Sequence, residues 1–394
     1  MNDLIRYMKK KAMRAILTPL KILRVKKNRV LMINDVSYNY SCNPKAITEY
    51  LLQQDKAMFD IVYTVKDLDA QKSLREKGLT ITKFNSLRYF VYALTSNIIV
   101  TNSGGLSYIP IRKGQYVINT HHGGGAYKTA GIDMFEDSVF FRKDMLLSAK
   151  QINCFLSTNR KFTECISKAC LIPEDLFWEI GMPRNDRLVN KSNGSVKTIK
   201  KKIGMKTEQH LVLYAPTYRK PADNYYKESI VIQYGIDNKM VCEALQERFG
   251  GEWVFAYRLH PCVENKKDYI VKGALDLSEY EDMQDLLEVA DVLINDFSSS
   301  FWDYMLTGKP CFMYAPDLDN YVEKTKVYTP VNSWPFPKSK TNNELKESIL
   351  NFDEKKYDAD CKRHYEELGG CESGQATKLV CDRIKEVCNI CNIS

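Results

Sequence analysis

Two clusters in this chain combine residue types that move protons with residue types that hold anions. The first is Thr120-His121-His122-Gly123-Gly124-Gly125-Ala126-Tyr127-Lys128. A histidine at the end of a strand can take a proton near neutral pH, and glycines let the backbone approach a ligand closely or adopt positive φ. Lys128 adds a compact cation. The same letters also describe a plain glycine turn with exposed histidines, but two of only five histidines in the chain stand here. The second cluster is Asp296-Phe297-Ser298-Ser299-Ser300, which follows the apolar run Val292–Asn295 and precedes Phe301, Trp302, Met305 and Leu306. A strand that delivers serines to a helix start offers unpaired amides and a favourable dipole to a diphosphate. Ser300 and Asp303 also spell a capping box, so the stretch has a purely structural reading as well.

Two further segments carry cations and hydroxyls at predicted strand ends: Tyr214-Ala215-Pro216-Thr217-Tyr218-Arg219 and Tyr257-Arg258-Leu259-His260. Together with Ser298–Ser300 they would line one sheet edge with groups able to neutralise a phosphate leaving group. The DxD pairs Asp67-Leu68-Asp69 and Asp317-Leu318-Asp319 fit polar loops better than a metal site. Cys388-Asn389-Ile390-Cys391 lacks the second pair a zinc site needs. Neither a metal nor a cofactor is expected.

The elements that must position these groups alternate along the chain. Strands are expected at Val30–Asp35, Phe59–Val65, Asn97–Thr101, Tyr116–Thr120 and Asn153–Ser157, with helices at Pro44–Gln53, Ala70–Lys77 and Arg160–Ala169. A second series has strands at Leu211–Ala215, Trp253–Tyr257, Val292–Asn295 and Cys311–Tyr314, separated by helices at Lys239–Phe249, Met283–Ala290 and Ser300–Thr307, and ends in a helical tail. This pattern predicts an α/β fold of two Rossmann-like, doubly wound parallel-sheet domains, with ligands at the carboxyl ends of the strands and chemistry in a cleft between the halves. The polar stretch around Asn190–Lys202 is the expected linker. The resulting partition is a basic segment at 1–28, an acceptor domain at 29–195, and a donor domain with the helical tail at 196–394.

The chain has 394 residues, 44% of them hydrophobic, which suits two cores rather than one. Its net charge of +8 is concentrated at the N-terminus, where residues 1–29 hold ten Lys and Arg against Asp3 alone. The rest of the chain is close to neutral, which argues against a nucleic-acid partner. Apolar residues recur at helical spacing between the basic ones, as in a helix lying on an anionic membrane surface; a solvated arm or a helix packed on the body would carry the same pattern. No apolar run is long enough for a signal peptide or a membrane-spanning helix. The twelve scattered cysteines read as reduced thiols.

As a set, HHGGGAYKTAG, LYAPTYR, RLHP and DVLINDFSSSFWDYMLTGKP resemble the CDP-glycerol glycerophosphotransferase family, in matching order, over about residues 95–325. The resemblance implies a GT-B architecture and transfer of a polyol phosphate from a CDP-linked donor to an acceptor hydroxyl, with release of CMP. The donor would be CDP-glycerol or CDP-ribitol, glycerol being expected. The acceptor would be a lipid-linked glycan or a teichoic-acid or capsule polymer, met by a peripheral enzyme at an anionic inner leaflet, on the cytoplasmic face of the cell membrane. His122 stands where the family has its proposed base, and His121 where an aromatic is common, so a shared role for His121 stays open. His260 matches the second functional histidine, with Arg258 beside it. Ser298 and Ser299 match the serines that hold donor phosphate, and Asp303 matches an acidic residue that recognises the donor or caps the helix. The implied roles are His122 as base, Gly123, Gly124, Gly125 and Lys128 as the acceptor loop, and His260, Arg258, Arg219, Thr217, Asp296, Ser298, Ser299 and Ser300 as the donor edge. A GT-B glycosyltransferase using a sugar nucleotide is the alternative.

Overall fold

A computed structural model describes residues 3–55, 58–125, 128–134, 138–191, 194–217, 235–260, 263 and 271–389. The chain divides into two units, Met1–Asp186 with Leu368–Ser394, and Arg187–Glu367. In the first, strands β1 (Lys26–Ile33), β2 (Asp60–Val65), β3 (Thr80–Lys83), β4 (Ser96–Thr101), β5 (Tyr116–Asn119), β6 (Cys154–Ser157) and β7 (Phe177–Glu179) form a sheet in the order β3-β2-β1-β4-β5-β6-β7. Every pairing in it is parallel. In the second, β8 (His210–Tyr214), β9 (Trp253–Tyr257), β10 (Leu275–Asp276), β11 (Val292–Asn295), β12 (Cys311–Tyr314) and β13 (Lys338–Ser339) are ordered β10-β9-β8-β11-β12-β13, again all parallel. These are the two Rossmann-like α/β units that the alternating pattern predicts.

The strand order reverses between β1 and β4 in the first sheet and between β8 and β11 in the second. Such switch points open a crevice at the carboxyl ends of the strands, because the flanking crossovers leave in opposite directions. The central strands are apolar on both faces. Val30 and Met32 of β1 enter one core with Ile47, Leu51 and Tyr63, whereas Leu31 and Ile33 enter another with Tyr89, Phe90 and Ile99. Period-two alternation with both faces buried gives the unbroken apolar runs by which these strands are recognised.

The expected partition differs at the tail. Helix Ala376–Val387 buries Val380, Cys381 and Ile384 in the first unit's core beside Ile47 and Leu51. Asp186 completes the attachment, accepting from the amides of Ala376 (3.0 Å) and Thr377 (2.7 Å) at that helix's start. An amphipathic helix announces an apolar face but not which sheet it will cover. The crossing between units falls at Asp186/Arg187 rather than at Ser195/Val196. Arg187 belongs to the second unit, where it pairs with Asp285 (2.5 Å) and with Glu288.

The basic N-terminal segment forms helix Asp3–Leu17 and is packed on the body. Its cations at four-residue spacing turn inward: Arg6 lies over the Phe141 ring (5.5 Å), Lys10 pairs with Asp144 (2.5 Å), and Arg14 donates to the carbonyls of Ser107 (2.9 Å) and Ile109 (2.6 Å). Leu17 is buried. The opposite face is apolar and exposed: Leu4, Ile5, Met8 and Ile16 point outward, Ile16 at 70% and the following Ile22 at 91% exposure. Among the described residues no helix is long and apolar enough to cross a membrane.

Because Ile384 is fully buried between the tail helix and the first sheet, Ile384→Ala is expected to lower stability by about 2–5 kcal/mol. Denaturant unfolding of the whole chain checks this; an unchanged midpoint would contradict the packing of the tail.

Candidate active site

In the first unit the glycine motif leaves the carboxyl end of β5, and its backbone is pinned from several sides. The Thr120 amide donates to the Thr101 carbonyl (2.8 Å), and the Asn119 side chain accepts from the His121 amide (2.9 Å). Asn43 Nδ2 donates to the carbonyls of His121 (2.9 Å) and Thr120 (3.3 Å). Arg184, itself buried, donates to the His122 carbonyl (2.7 Å), and its own amide donates to Asn43 Oδ1 (3.0 Å). This network holds His121 at φ +50, a left-handed conformation that a non-glycine residue adopts at a cost of about 1–3 kcal/mol. Two of the glycines have separate reasons. Gly125 takes φ +86, while a side chain at Gly124 would press on Thr158, with Oγ1 at 3.0 Å.

The two histidines stack at 4.7 Å but have different surroundings. His121 packs on Phe155 and Phe162 (5.8 and 5.4 Å), with Nδ1 against Gly123. Burial, with the neighbouring His122 and Arg184 charges adding to it, pushes its pKa down to about 3, so it stays neutral at any ordinary pH. His122 is exposed, and its Nδ1 lies 3.0 Å from the Asn102 carbonyl oxygen. A carbonyl only accepts, so Nδ1 carries the proton and the basic lone pair is on Nε2. Asn102 is fixed in turn: its Nδ2 donates to Asn34 Oδ1 (2.8 Å) and its Oδ1 accepts from the Asp35 amide (3.2 Å). Lys128 is half-buried, and Ala126 and Tyr127 lie outside the described residues.

In the second unit, β9, β8 and β11 are neighbours, so the segments that follow them share one sheet edge. The predicted residues there divide into two groups. Thr217 gives both its amide (2.9 Å) and its hydroxyl (2.6 Å) to Asp296 Oδ1, which clasps the ends of β8 and β11 across the switch point. Ser300 is buried, accepting from Asn295 Nδ2 (2.5 Å) and donating to Ser298 Oγ (3.0 Å). Asp303 is buried and accepts from Gln284 Nε2 (3.0 Å), and Ser300 does not cap its helix, Ser300–Met305. Ser298 and Ser299 are half-buried at the turn, and His260 is half-buried beyond β9. Arg258 anchors on the Tyr280 carbonyl (3.0 Å), and its Nε has no hydrogen-bond partner among the described residues. Burial lowers its pKa while Asp282 and Glu279 raise it. Arg219 lies outside the described residues. The two remaining histidines are structural: His364 is buried and accepts from Trp302 Nε1 (3.3 Å), and His210 stacks on Trp253 (5.0 Å).

The described architecture can be set beside known proteins. The family model of CDP-glycerol:poly(glycerophosphate) glycerophosphotransferase matches residues 16–386. The chain belongs to that family. It is accordingly a transferase. It is 27% identical over 358 residues to a teichoic acid poly(glycerol phosphate) polymerase of Bacillus spizizenii strain W23, covering 88% of this chain and 89% of the relative. It is 26% identical over 373 residues to the protein of the same name from Bacillus subtilis strain 168, covering 91% of this chain but 49% of the relative. The chain therefore spans most of one relative and about half of the other. The solved structure of the wall teichoic acid polymerase TagF superposes with a TM-score of 0.78 at 22% identity, covering 98% of this chain and 97% of that one. That likeness is one of fold and agrees with a GT-B-like fold class built from two Rossmann-type units.

Asn102, Asn43 and Arg184 are the positioning groups that motif reading misses. Asn102 has only the signal of a polar residue just past an apolar run, which many loops share, and Asn43 follows a polar stretch with no such signal.

The depressed His121 pKa has a consequence for stability. An imidazole that titrates near its ordinary value when unfolded and at about 3 when folded stabilises the fold above the unfolded pKa, and that contribution is lost as pH falls toward the folded one. His121→Phe is expected to flatten the pH dependence of unfolding across this window, by on the order of 1 kcal/mol for each pH unit below the unfolded value. Denaturant titrations at neutral and mildly acid pH check it; parallel curves for the two proteins would contradict it.

Proposed function

We propose that this protein transfers glycerol phosphate from CDP-glycerol to a hydroxyl on a membrane-linked teichoic-acid or related glycan acceptor, releasing CMP. The observation that carries the assignment of roles is the His122 Nδ1 contact with the Asn102 carbonyl, which leaves Nε2 as the proton acceptor. The acceptor hydroxyl gives its proton to Nε2 as its oxygen attacks the phosphorus bearing the glycerol. The bond from that phosphorus to the bridging oxygen breaks, and CMP departs with the electron pair. His260, the Arg258 charge and the turn at Ser298 and Ser299 meet the negative charge that develops on CMP. Thr217, Asp296, Ser300 and Asp303 support this edge by tying its strands and helix together, which fits the partners they already hold. His121, held neutral and stacked on His122, serves as a platform for it.

Each of His122→Ala and His260→Ala is expected to slow CMP release by roughly a hundredfold or more. Turnover near wild type in both would remove these roles. A panel of CDP-glycerol, CDP-ribitol and UDP-sugars, read by product mass, is expected to give transfer from CDP-glycerol; transfer from a UDP-sugar alone would replace polyol-phosphate transfer by glycosyl transfer.

We further propose that the outward stripe of Leu4, Ile5, Met8 and Ile16 rests in the headgroup boundary of an anionic membrane. At 100° per residue Lys9 and Lys11 border that stripe, and Lys21 and Arg24 follow it. Because Arg6, Lys10 and Arg14 are engaged with the body, apolar insertion rather than bulk charge dominates the contact. The pair Met8→Glu and Ile16→Glu is expected to weaken pelleting with phosphatidylglycerol vesicles roughly tenfold or more, with CMP release from a soluble acceptor unchanged. Equal pelleting would contradict the membrane assignment.

A further inference from the structure

Asn34 and Asn102 are the first residues beyond β1 and β4, the strands on either side of the first sheet's switch point, and the register that sets Ile33 opposite Thr101 brings the two asparagines side by side. Both are fully buried, and no motif draws attention to Asn34. The backbone around them fixes which way each side-chain amide points. The Asp35 amide can only donate, so Asn102 turns Oδ1 to it (3.2 Å) and offers Nδ2 to Asn34 Oδ1 (2.8 Å). Asn34 Nδ2 is thereby left for the loop that follows β1, where it donates to the carbonyls of Asn39 (2.9 Å) and Ser41 (3.3 Å) and to the hydroxyl oxygens of Ser37 (3.0 Å) and Ser41 (2.9 Å). The Asn34 carbonyl accepts from the Tyr38 amide (2.9 Å) as well. That loop carries Tyr38 at φ +56 and Cys42 at φ +61, left-handed conformations that persist only where the surroundings over-determine them.

We propose that Asn34 is a positioning residue for the base, holding His122 through two arms that start from one side chain. One arm runs from Asn34 Oδ1 through Asn102, whose carbonyl accepts from His122 Nδ1 (3.0 Å) and so keeps the basic lone pair on Nε2. The other runs from Asn34 Nδ2 through Ser41 to the start of the helix Cys42–Asp55. There Asn43 Nδ2 donates to the His121 carbonyl (2.9 Å), and Asn43 Oδ1 accepts from the amide of Arg184 (3.0 Å), the residue that donates to the His122 carbonyl (2.7 Å). The first arm sets the tautomer of the ring, and the second sets the backbone that carries it. Both need a donor and an acceptor on the same buried group, which an amide has and an ionised carboxylate or an alkyl chain lacks. The inference rests on the transferase reading, in which His122 is the base, and adds the residue that selects its protonated nitrogen.

The test reads the tautomer directly. The full chain is prepared with isotope-labelled histidine, and the ring-nitrogen resonances of His122, assigned by their loss in His122→Ala, are recorded at a pH where the ring is neutral. Wild type, Asn34→Ala, Asn102→Ala and the double variant are compared, and CMP release from CDP-glycerol is measured on the same four proteins. Wild type is expected to hold the proton on Nδ1. Asn34→Ala is expected to move a substantial share of it to Nε2 and to lower kcat roughly tenfold or more, with the CDP-glycerol KM within about twofold of wild type. Asn102→Ala is expected to do the same, and the double variant to be no worse than either alone, because the two amides act as one unit. If Asn34→Ala does not fold, Asn102→Ala gives the same reading from the other end of the arm. Ring resonances that match wild type overturn the proposal whatever kcat does, since a merely structural role lowers activity without moving the proton. Additive losses in the double variant overturn it too. The spectra need no substrate, so absence of CMP release by wild type overturns the transferase reading while the spectra still decide whether Asn34 sets the tautomer.

Discussion

The hydrogen bond from His122 Nδ1 to the Asn102 carbonyl is the constraint on which the chemistry of the first unit depends. An imidazole with its proton on the wrong nitrogen presents a donor where a base is needed. A backbone carbonyl prevents this without bringing another charge to the site. The carbonyl is only as well placed as Asn102, which is held by Asn34 and by the Asp35 amide. Those two contacts exist because β1 and β4 are paired in register at the middle of the sheet, with Ile33 opposite Thr101. The position of one lone pair is therefore referred back to the most buried strands of the unit.

The second unit uses the same device with a carboxylate in place of a carbonyl. Asp296 Oδ1 takes both donors of Thr217, binding the ends of β8 and β11 together at the switch point. Asp303 is drawn into the interior by Gln284, and Trp302 is held by His364. Polar residues that look available for a ligand in the sequence are largely spent on supporting the turn. The groups at its surface are few: the two half-buried serines and the half-buried histidine beyond β9. Rigid support behind a small number of surface groups is what a site needs if it is to meet developing charge without rearranging.

Much of the fold is legible in the chain because its central strands are apolar on both faces. Val292–Asn295 and Cys311–Tyr314 appear as unbroken runs and match the observed strands residue for residue. The short edge strands Leu275–Asp276 and Lys338–Ser339 have no such signal, since two residues cannot display a period. The helix expected over Ala70–Lys77 shrinks to Ser73–Glu76, Asp67 capping the preceding turn through the amides of Asp69 and Ala70. The N-terminal helix is legible as amphipathic, yet its orientation is not. Its basic residues were the evident candidates for an anionic surface, and the contacts to Phe141, Asp144, Ser107 and Ile109 turn three of them inward.

From its sequence alone the chain determines its two parallel sheets, the strand ends from which its chemistry must project, and, through four ordered motifs, its family. These are local properties, written in apolar runs and in residues a few positions apart. Only the tertiary structure decides which of two adjacent histidines is kept neutral by burial, which serine and which aspartate are consumed in support, and which sheet the tail helix covers. Each of those outcomes depends on partners brought together by folding: Phe155 for His121, Gln284 for Asp303, and Ile47 beside Ile384. Desolvation and hydrogen bonding act on such neighbours in space, and spacing along the chain does not record them.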